Sequence, residues 1–265
     1  MGRSYEVRPG KRRVAKAKER LDQLLVAQGL APTRAKAQAL ILAGEVFRGE
    51  ERLDKPGTSL DPATELRLKT TSPTYVSRGA FKLIAGLDRF AIDPAGLLCL
   101  DIGASTGGFT EVLLERGAAR VVAVDVGHGR LDWRLRNDPR VVVLEKTNAR
   151  HLTADLLPGA PSLIVCDASF IGLRTVLPAA LGLAAPGAWL VALIKPQFEA
   201  GRAAVGKGGV VRDAAIHEAV CTDVRDWLAT QAGWTVLGIE PSPILGPKGN
   251  REFLIAARRP AARNS

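Results

Sequence analysis

Four apolar runs of this chain each close on an acid: Asp101 after LLCL, Asp125 after VVAV, Glu145 after VVVL and Asp167 after LIVC. Continuous Val, Leu and Ile runs mark strands buried on both faces, and open parallel sheets bind ligands at the carboxyl ends of their strands. The four acids therefore outline a ligand rim. Directly after Asp101 comes Ile102-Gly103-Ala104-Ser105-Thr106-Gly107-Gly108-Phe109-Thr110, a strand-to-helix turn whose glycines let the backbone close around a ligand. Its Gly-x-x-x-Gly-Gly spacing departs from the Gly-x-Gly-x-x-Gly of dinucleotide sites, where a pyrophosphate must be anchored. Asp125 falls 24 residues after Asp101, where an acid accepts hydrogen bonds from a ribose diol. Loop and acid together suit an adenosine-containing ligand without a pyrophosphate, a description that S-adenosylmethionine meets. At this level the alternatives are a purely structural glycine turn and strand-end acids that face water.

Two lysines stand in equally apolar surroundings. Lys195 closes WLVALI, and Lys82 lies in the helical stretch GAFKL. A desolvated ammonium is costly unless it is paired, which gives Lys195 a functional reading. Lys82 suits a helix lysine with its stem along a surface just as well. Glu252, beside Asn250 and Arg251 at the start of the last apolar run, fits either a site or a surface ion pair. Other chemistries lack their residues. His128, His151 and His217 fall in unrelated segments with no His-x-x-x-His or Cys-x-x-Cys pairing, so no metal site is expected. There is no Gly-x-Ser-x-Gly elbow and no Gly-x-x-x-x-Gly-Lys-[Ser/Thr] loop, which removes the main support for a hydrolase or a P-loop enzyme. Cys99, Cys166 and Cys221 are too scattered for a disulfide scaffold and point to a reduced, cytosolic setting.

The elements that must position these groups follow from the apolar pattern. Runs at 97–101, 121–125, 141–145, 163–167, 189–195, 234–240 and 253–257 alternate with helical stretches. They predict a doubly wound α/β domain of about seven strands, the last two forming an antiparallel pair at one edge. Ahead of it, Leu21, Leu24 and Leu25, then Ala35, Ala39, Leu40 and Leu42, recur at helical spacing. Thr33 is a good N-cap for the second helix and puts Arg34, Lys36 and Gln38 in its first turns. Val46-Phe47, Leu53 and Leu66–Leu68 read as short strands, completing a small αα-β module. The 265 residues give room for these two domains, and the composition, 46% hydrophobic and 24% charged, is that of a globular chain.

The net charge of +10 is concentrated at the start, where Arg3, Arg8, Lys11, Arg12, Arg13, Lys16, Lys18 and Arg20 form a basic tail that attracts polyanions. A solvated tail is the plainer reading. No secretory signal follows that tail. Thr175 to Ile194 is twenty residues without a charge, long enough to span a bilayer. Pro178 near its start and Pro186-Gly187 in its middle predict a helix, a turn and a strand instead.

The segments SRGAFKL (77–83), LDIGASTGGFTEVLLERGA (100–118), VDVGHGRLDWRLRND (124–138), EKTNAR (145–150), CDASFI (166–171), LIKPQFEA (193–200), GKGGVVRD (206–213) and SPILGPKGNREF (242–253) together resemble the TlyA, or hemolysin-A-like, family of ribosomal RNA methyltransferases. RLDQLLVAQGLAPTRAKAQALILAGEVF, which opens the module at 20–69, resembles the small RNA-binding domain named after ribosomal small-subunit protein four (S4). The resemblance implies a class I (Rossmann-like) methyltransferase fold related to FtsJ-type ribose methyltransferases. It implies S-adenosylmethionine as donor and a cytidine ribose 2′-hydroxyl of ribosomal RNA as acceptor. It also implies a Lys-Asp-Lys-Glu catalytic set, here Lys82, Asp167, Lys195 and Glu252. Donor contacts are implied for Asp101, Gly103, Ser105, Thr106, Gly107, Gly108, Phe109, Asp125, Val126, Thr147, Asn148 and Asp167. RNA contacts are implied for Arg20, Arg34 and Lys36, with Thr33-Arg34 standing where serine-arginine is common.

The implied domain plan is a basic tail at 1–19, an S4-like domain at 20–69, a linker at 70–74, an FtsJ-like domain at 75–258 and a C-terminal tail at 259–265. The expected partners are ribosomal RNA and ribosomal subunits in the cytoplasm, without a membrane or a metal. A ribose hydroxyl is a poor nucleophile, so attack on a sulfonium methyl needs its proton removed or its developing negative charge stabilised. Lys195 fits the first role if the like charge of Lys82 and burial strip its proton, and the second if Asp167 holds both lysines charged. Both stay open here. Two other functions also do: a membrane-acting cytolysin, from the 175–194 stretch and the positive charge, and a ribosome-binding protein without catalysis.

Overall fold

The computed structural model describes residues 18–31, 33–68, 75–201, 204–206 and 208–261. Most of the basic tail, the 70–74 linker and the last four residues lie outside these. The chain divides into two compact units, Met1–Pro73 and Thr74–Ser265.

In the first unit, strand β1 (Glu19–Arg20) leads into helix α1 (Leu21–Ala27) and helix α2 (Arg34–Leu42). Short strands β2 (Val46–Arg48), β3 (Glu51–Arg52), β4 (Ser59–Leu60) and β5 (Arg67–Leu68) follow, with β2 between β3 and β5, and β1 paired to β4. The Thr33 hydroxyl accepts from the Lys36 amide at 3.2 Å, the expected N-cap. The buried face of α2 is set differently from the expectation. Ala37 and Ile41 enter the core, whereas Ala35, Ala39 and Leu42 face solvent. The rotation is fixed by Asp22, a wholly buried carboxylate in the first turn of α1 that accepts from Arg34 Nε and Gln38 Nε2, both at 2.8 Å. Arg34 and Gln38 are one turn apart on the helix, so holding both on Asp22 selects which apolar residues point inward. Leu53, expected in a strand, follows β3 as a buried plug; its hydrophobicity marks the core and not the ladder.

The second unit opens with helix α3 (Gly79–Arg89) and then alternates strand and helix: β6 (Leu98–Ile102), α4 (Gly108–Glu115), β7 (Arg120–Val124), α5 (Trp133–Arg136), β8 (Val141–Leu144), β9 (Leu163–Cys166), α6 (Leu173–Val176), α7 (Pro178–Leu183), β10 (Trp189–Ile194), α8 (Pro196–Glu199), α9 (Ala214–Thr230), β11 (Thr235–Pro241) and β12 (Phe253–Arg258). All seven predicted strands form one sheet in the order β11-β12-β10-β9-β6-β7-β8. The pairs from β10 through β8 are parallel, and β12 runs antiparallel between β10 and β11. The strand order reverses between β6 and β9, which opens the crevice where α/β sheets take ligands.

One apolar core lies on each face of the sheet. The uncharged stretch at 175–194 is accounted for by α7, a turn and β10, whose residues Leu190 to Ile194 are at most 1% exposed within the sheet. Among the described residues no helix is long and apolar enough to cross a membrane.

Candidate active site

Lys82, Asp167, Lys195 and Glu252 come from four elements and meet at one end of the sheet. Helix α3 carries Lys82 on the face that buries Ala80, Leu83 and Leu87. It lies close against β10 and β12 because Gly86 has no side chain; a Cβ there would stand 2.9 Å from a Val191 methyl and 3.4 Å from Leu254. That approach brings Lys82 Nζ to 2.6 Å from Glu252 Oε2, just before β12, and to 3.8 Å from Asp167 Oδ2, just after β9. Lys195, at the end of β10, reaches Asp167 from the next strand: its Nζ lies 2.7 Å from Oδ1 and donates to the Asp167 carbonyl at 3.1 Å and the Ser169 hydroxyl at 2.8 Å. Lys82 is 7% exposed, Lys195 5% and Glu252 2%, so both cations are desolvated and answered by buried or half-buried carboxylates. The reading of Lys82 as a surface lysine is thereby excluded.

The glycine turn closes the other side. Gly103 has a φ of +81°, and a Cβ there would stand 2.9 Å from the Ala168 backbone, so the turn after β6 and the turn after β9 touch only because this residue is glycine. Beside them opens a cavity of about 350 Å³ lined by Gly103, Ser105, Asp125, Val126, Thr147, Asn148 and Asp167. Asp125 takes the Ser105 amide at 2.9 Å on Oδ2 and the Gly127 amide at 2.7 Å on Oδ1. Each oxygen keeps a second lone pair for a ligand hydroxyl.

A second cavity, of about 740 Å³, is lined by Thr106, Gly108, Phe109, Lys82 and Lys195 and shares Gly103, Ser105, Asp167 and Ser169 with the first. A third, of about 320 Å³, continues past Ser169 and Lys195 to Gln197, Phe198, Pro247, Lys248 and Glu252. Asp167 thus stands in the wall between a nucleoside-sized cavity and the lysines. Ser77, Arg78, Ser169, Gln197 and the 244–249 loop line these cavities too. They went unassigned in the sequence although they sit inside SRGAFKL, CDASFI, LIKPQFEA and SPILGPKGNREF.

Three residues read as facing the ligand, Glu145 and Asp101 from the strand-end rim and Gly107 from the implied donor contacts, are used differently. Glu145 is tied up internally: it accepts from the Gly129 amide at 2.9 Å and pairs with Arg136 and His128, contacts that hold its carboxyl down at about 2. Gly107 is the N-cap of α4 and packs against Leu131 and Leu135, outside the cavity walls. Asp101 is fully buried beneath the turn and accepts from the Thr110 hydroxyl at 2.6 Å. It reaches neither cavity, so its effect on a ligand passes through α4 and the loop.

Burial pushes the Asp101 carboxyl up to about 7, with the charges of Asp167 and Asp125 adding to the shift against the Thr110 hydrogen bond. Its ordinary value is about 4, so between about pH 4 and pH 7 the folded chain keeps a proton that the unfolded chain has lost. This contribution to stability is complete at low pH and disappears as pH rises through that window. Asp101→Asn should therefore lose less melting temperature than the parent protein between about pH 5 and pH 8; parallel curves would remove the assignment.

In the first unit, Arg20 and Arg34 converge on Asp22 with side chains 45% and 53% exposed. The Arg20 hydrogen bond, helped by Gln38 and Arg34, holds the Asp22 carboxyl well below its usual range. Both guanidiniums stay partly open to solvent, and Lys36, two residues after Arg34 on α2, is exposed.

The profile of the FtsJ-like methyltransferase family matches residues 75–259, and that of the S4 domain matches residues 19–66. The 16S/23S rRNA (cytidine-2'-O)-methyltransferase TlyA of Mycobacterium tuberculosis strain H37Rv is 52% identical over 90% of this chain and 89% of its own length. Hemolysin A of Brachyspira hyodysenteriae is 39% identical over 89% of this chain and 98% of its own. A solved Streptococcus thermophilus chain, provisionally named a hemolysin, superposes with a TM-score of 0.69 at 44% identity, covering 94% of this chain and 92% of that one. With a family profile over most of its length and relatives aligned nearly end to end, the chain belongs to the TlyA, or hemolysin-A-like, branch of the FtsJ-like methyltransferases.

Proposed function

We propose that this protein transfers a methyl group from S-adenosylmethionine to the ribose 2′-hydroxyl of a cytidine in ribosomal RNA. The observation that carries the reading is the placement of two lysines and two carboxylates beside a cavity fit for a nucleoside. The cytidine ribose is the acceptor printed in the name of the 52% identical relative. S-adenosylmethionine supplies a methyl on a positively charged sulfur, open to attack by an oxygen.

Asp125 receives the donor's ribose diol on its free lone pairs, Gly103, Ser105, Thr106, Gly108 and Phe109 shape the turn around it, and Val126, Thr147 and Asn148 line its adenine side. Asp101 and Gly107 hold that turn from behind. Lys195 acts as a cation. Its three contacts match the three N–H bonds of an ammonium, and two of them, the Asp167 carboxylate and carbonyl, can only accept. Held there, it stabilises the charge that develops on the attacking oxygen. Lys82, locked to Glu252, adds to the same field. As the carbon–oxygen bond forms, the methyl–sulfur bond breaks with its electron pair returning to sulfur, which leaves neutral S-adenosylhomocysteine; the hydroxyl proton becomes acidic, and in this reading it passes to the Asp167 carboxylate. None of these roles requires a metal.

Residues 75–258 carry out the transfer, and 20–69 hold the RNA through phosphate contacts by Arg20, Arg34 and Lys36, with the basic tail at 1–19 adding salt-dependent affinity. The linker is 70–74 and the C-terminal tail 259–265. The acceptor is a ribosomal subunit in the cytoplasm. Mass mapping of ribosomal RNA from cells with and without this protein tests the reading: a cytidine ribose methyl present only with the protein is expected, and identical maps would overturn it.

A further inference from the structure

Among the described residues three buried side-chain oxygens lack a hydrogen-bond partner: Asp101 Oδ1, Asp167 Oδ1 and Gln197 Oε1. The first belongs to a carboxyl sealed beneath the glycine turn, where burial raises its pKa and lowers the cost of a missing partner by disfavouring the charge, and the second faces Lys195 as an ion pair at 2.7 Å. Gln197 Oε1 has neither explanation. A buried acceptor without a donor is costly, and native chains keep few of them.

Gln197 lies in the first turn of α8, two residues after Lys195, and lines the cavity of about 320 Å³ that Lys195, Ser169 and Glu252 border. Its orientation is set by a charge. Nε2 lies 3.5 Å from Glu252 Oε1, and an ionised carboxylate only accepts, so the amide nitrogen must turn toward Glu252 and the oxygen away from it. The opposite rotamer would set oxygen against oxygen. Glu252 is itself held by Lys82 at 2.6 Å, so the direction of the carboxamide is inherited from the catalytic ion pairs. Oε1 is buried as the chain stands, but the 3.5 Å contact is loose and the terminal torsion of glutamine is broad, so the carboxamide can turn to meet a donor that enters the cavity.

We propose that Gln197 reads the exocyclic amine of the acceptor base and thereby selects cytosine over uracil. This rests on the reaction proposed above. Cytosine offers an N4 amine, which donates to Oε1. Uracil offers a carbonyl oxygen at the same position, which would meet Oε1 lone pair to lone pair. A base reached by its Watson–Crick edge has to be unstacked from its neighbours, as sequence-specific RNA recognition commonly requires. The side wall formed by Phe198 and Pro247 gives that base an apolar surface.

The test uses the full chain and two ribosomal RNA substrates that differ only in C or U at the mapped nucleotide. Single-turnover methylation is measured for the parent protein, Gln197→Ala and the volume-conserving Gln197→Leu, with S-adenosylmethionine binding followed by calorimetry. The parent should favour C by about tenfold to a hundredfold. Both variants should slow on C, hold or gain on U, and bring the C/U ratio near one with donor binding unchanged. Equal slowing on C and U, including complete loss on both, would assign Gln197 to packing or to positioning Glu252 and overturn the proposal. A variant that keeps the parent's ratio, or a parent that methylates both substrates equally, would overturn it as well. A parent that methylates neither substrate would instead overturn the methyltransferase reading on which it stands.

Discussion

Lys195→Ala should lower methyl transfer to ribosomal RNA by about a hundredfold or more while S-adenosylmethionine still binds, because loss of a group that stabilises or moves charge at the reacting oxygen costs that much. The separation of the two effects follows from geometry. Lys195 lines the large cavity and the one beyond it, but not the 350 Å³ cavity beside Asp125. Removing its side chain strips Asp167 of its 2.7 Å partner but takes away no residue that lines the cavity beside Asp125. Turnover within a few-fold of the parent would remove Lys195 from the reaction, and loss of donor binding would move it to the donor site.

The pair Lys82–Glu252 should show a different signature. Glu252 is 2% exposed and Lys82 7%, so removing either partner leaves a desolvated charge with poor compensation. Glu252→Ala should destabilise the second unit by about 3 to 5 kcal/mol, read from chemical denaturation, and abolish transfer. Replacing both, as Lys82→Met with Glu252→Leu, removes the two charges together, and such exchanges are often neutral for stability. The double variant should recover most of the lost stability and none of the activity. A double variant as unstable as the single would mean that the pair is held for packing, and one with restored turnover would mean that Lys82 and Glu252 are dispensable to the chemistry.

The sheet was legible in the sequence because its strands are buried on both faces. LIVC, VVAV and WLVALI need no alternation to be recognised, and each falls within one residue of β9, β7 and β10. The antiparallel character of β11 and β12 follows from their having only a loop between them, but the place of β12 between β10 and β11 does not, since pairing across a sheet leaves no local pattern. The N-terminal unit was less legible. Strands of two residues such as β1 and β4 carry no period, and the facing of α2 depends on Asp22, a contact twelve residues away along the chain. At the site, spacing points to Asp125 and the glycine turn as a ligand position but leaves a purely structural turn open beside it. Lys82 and Glu252 are ambiguous there: each fits a surface position as well as a site, and the family resemblance is what places them in one set. Gln197 carried no signal, because its orphan oxygen exists only once Glu252 has fixed its amide.

The late position of β12 has a consequence for how the protein is made. Glu252 immediately precedes this strand, and β12 must slot between β10 and β11 after both have been translated. At about 5 to 20 residues per second, the ribosome delivers Lys82, Asp167 and Lys195 many seconds before their last counter-charge emerges. A nascent chain still lacking β12 therefore holds two lysines and one of their two acids, with the sheet unfinished between β10 and β11. Closure of the sheet and the pairing of Lys82 with Glu252 arrive in the same step.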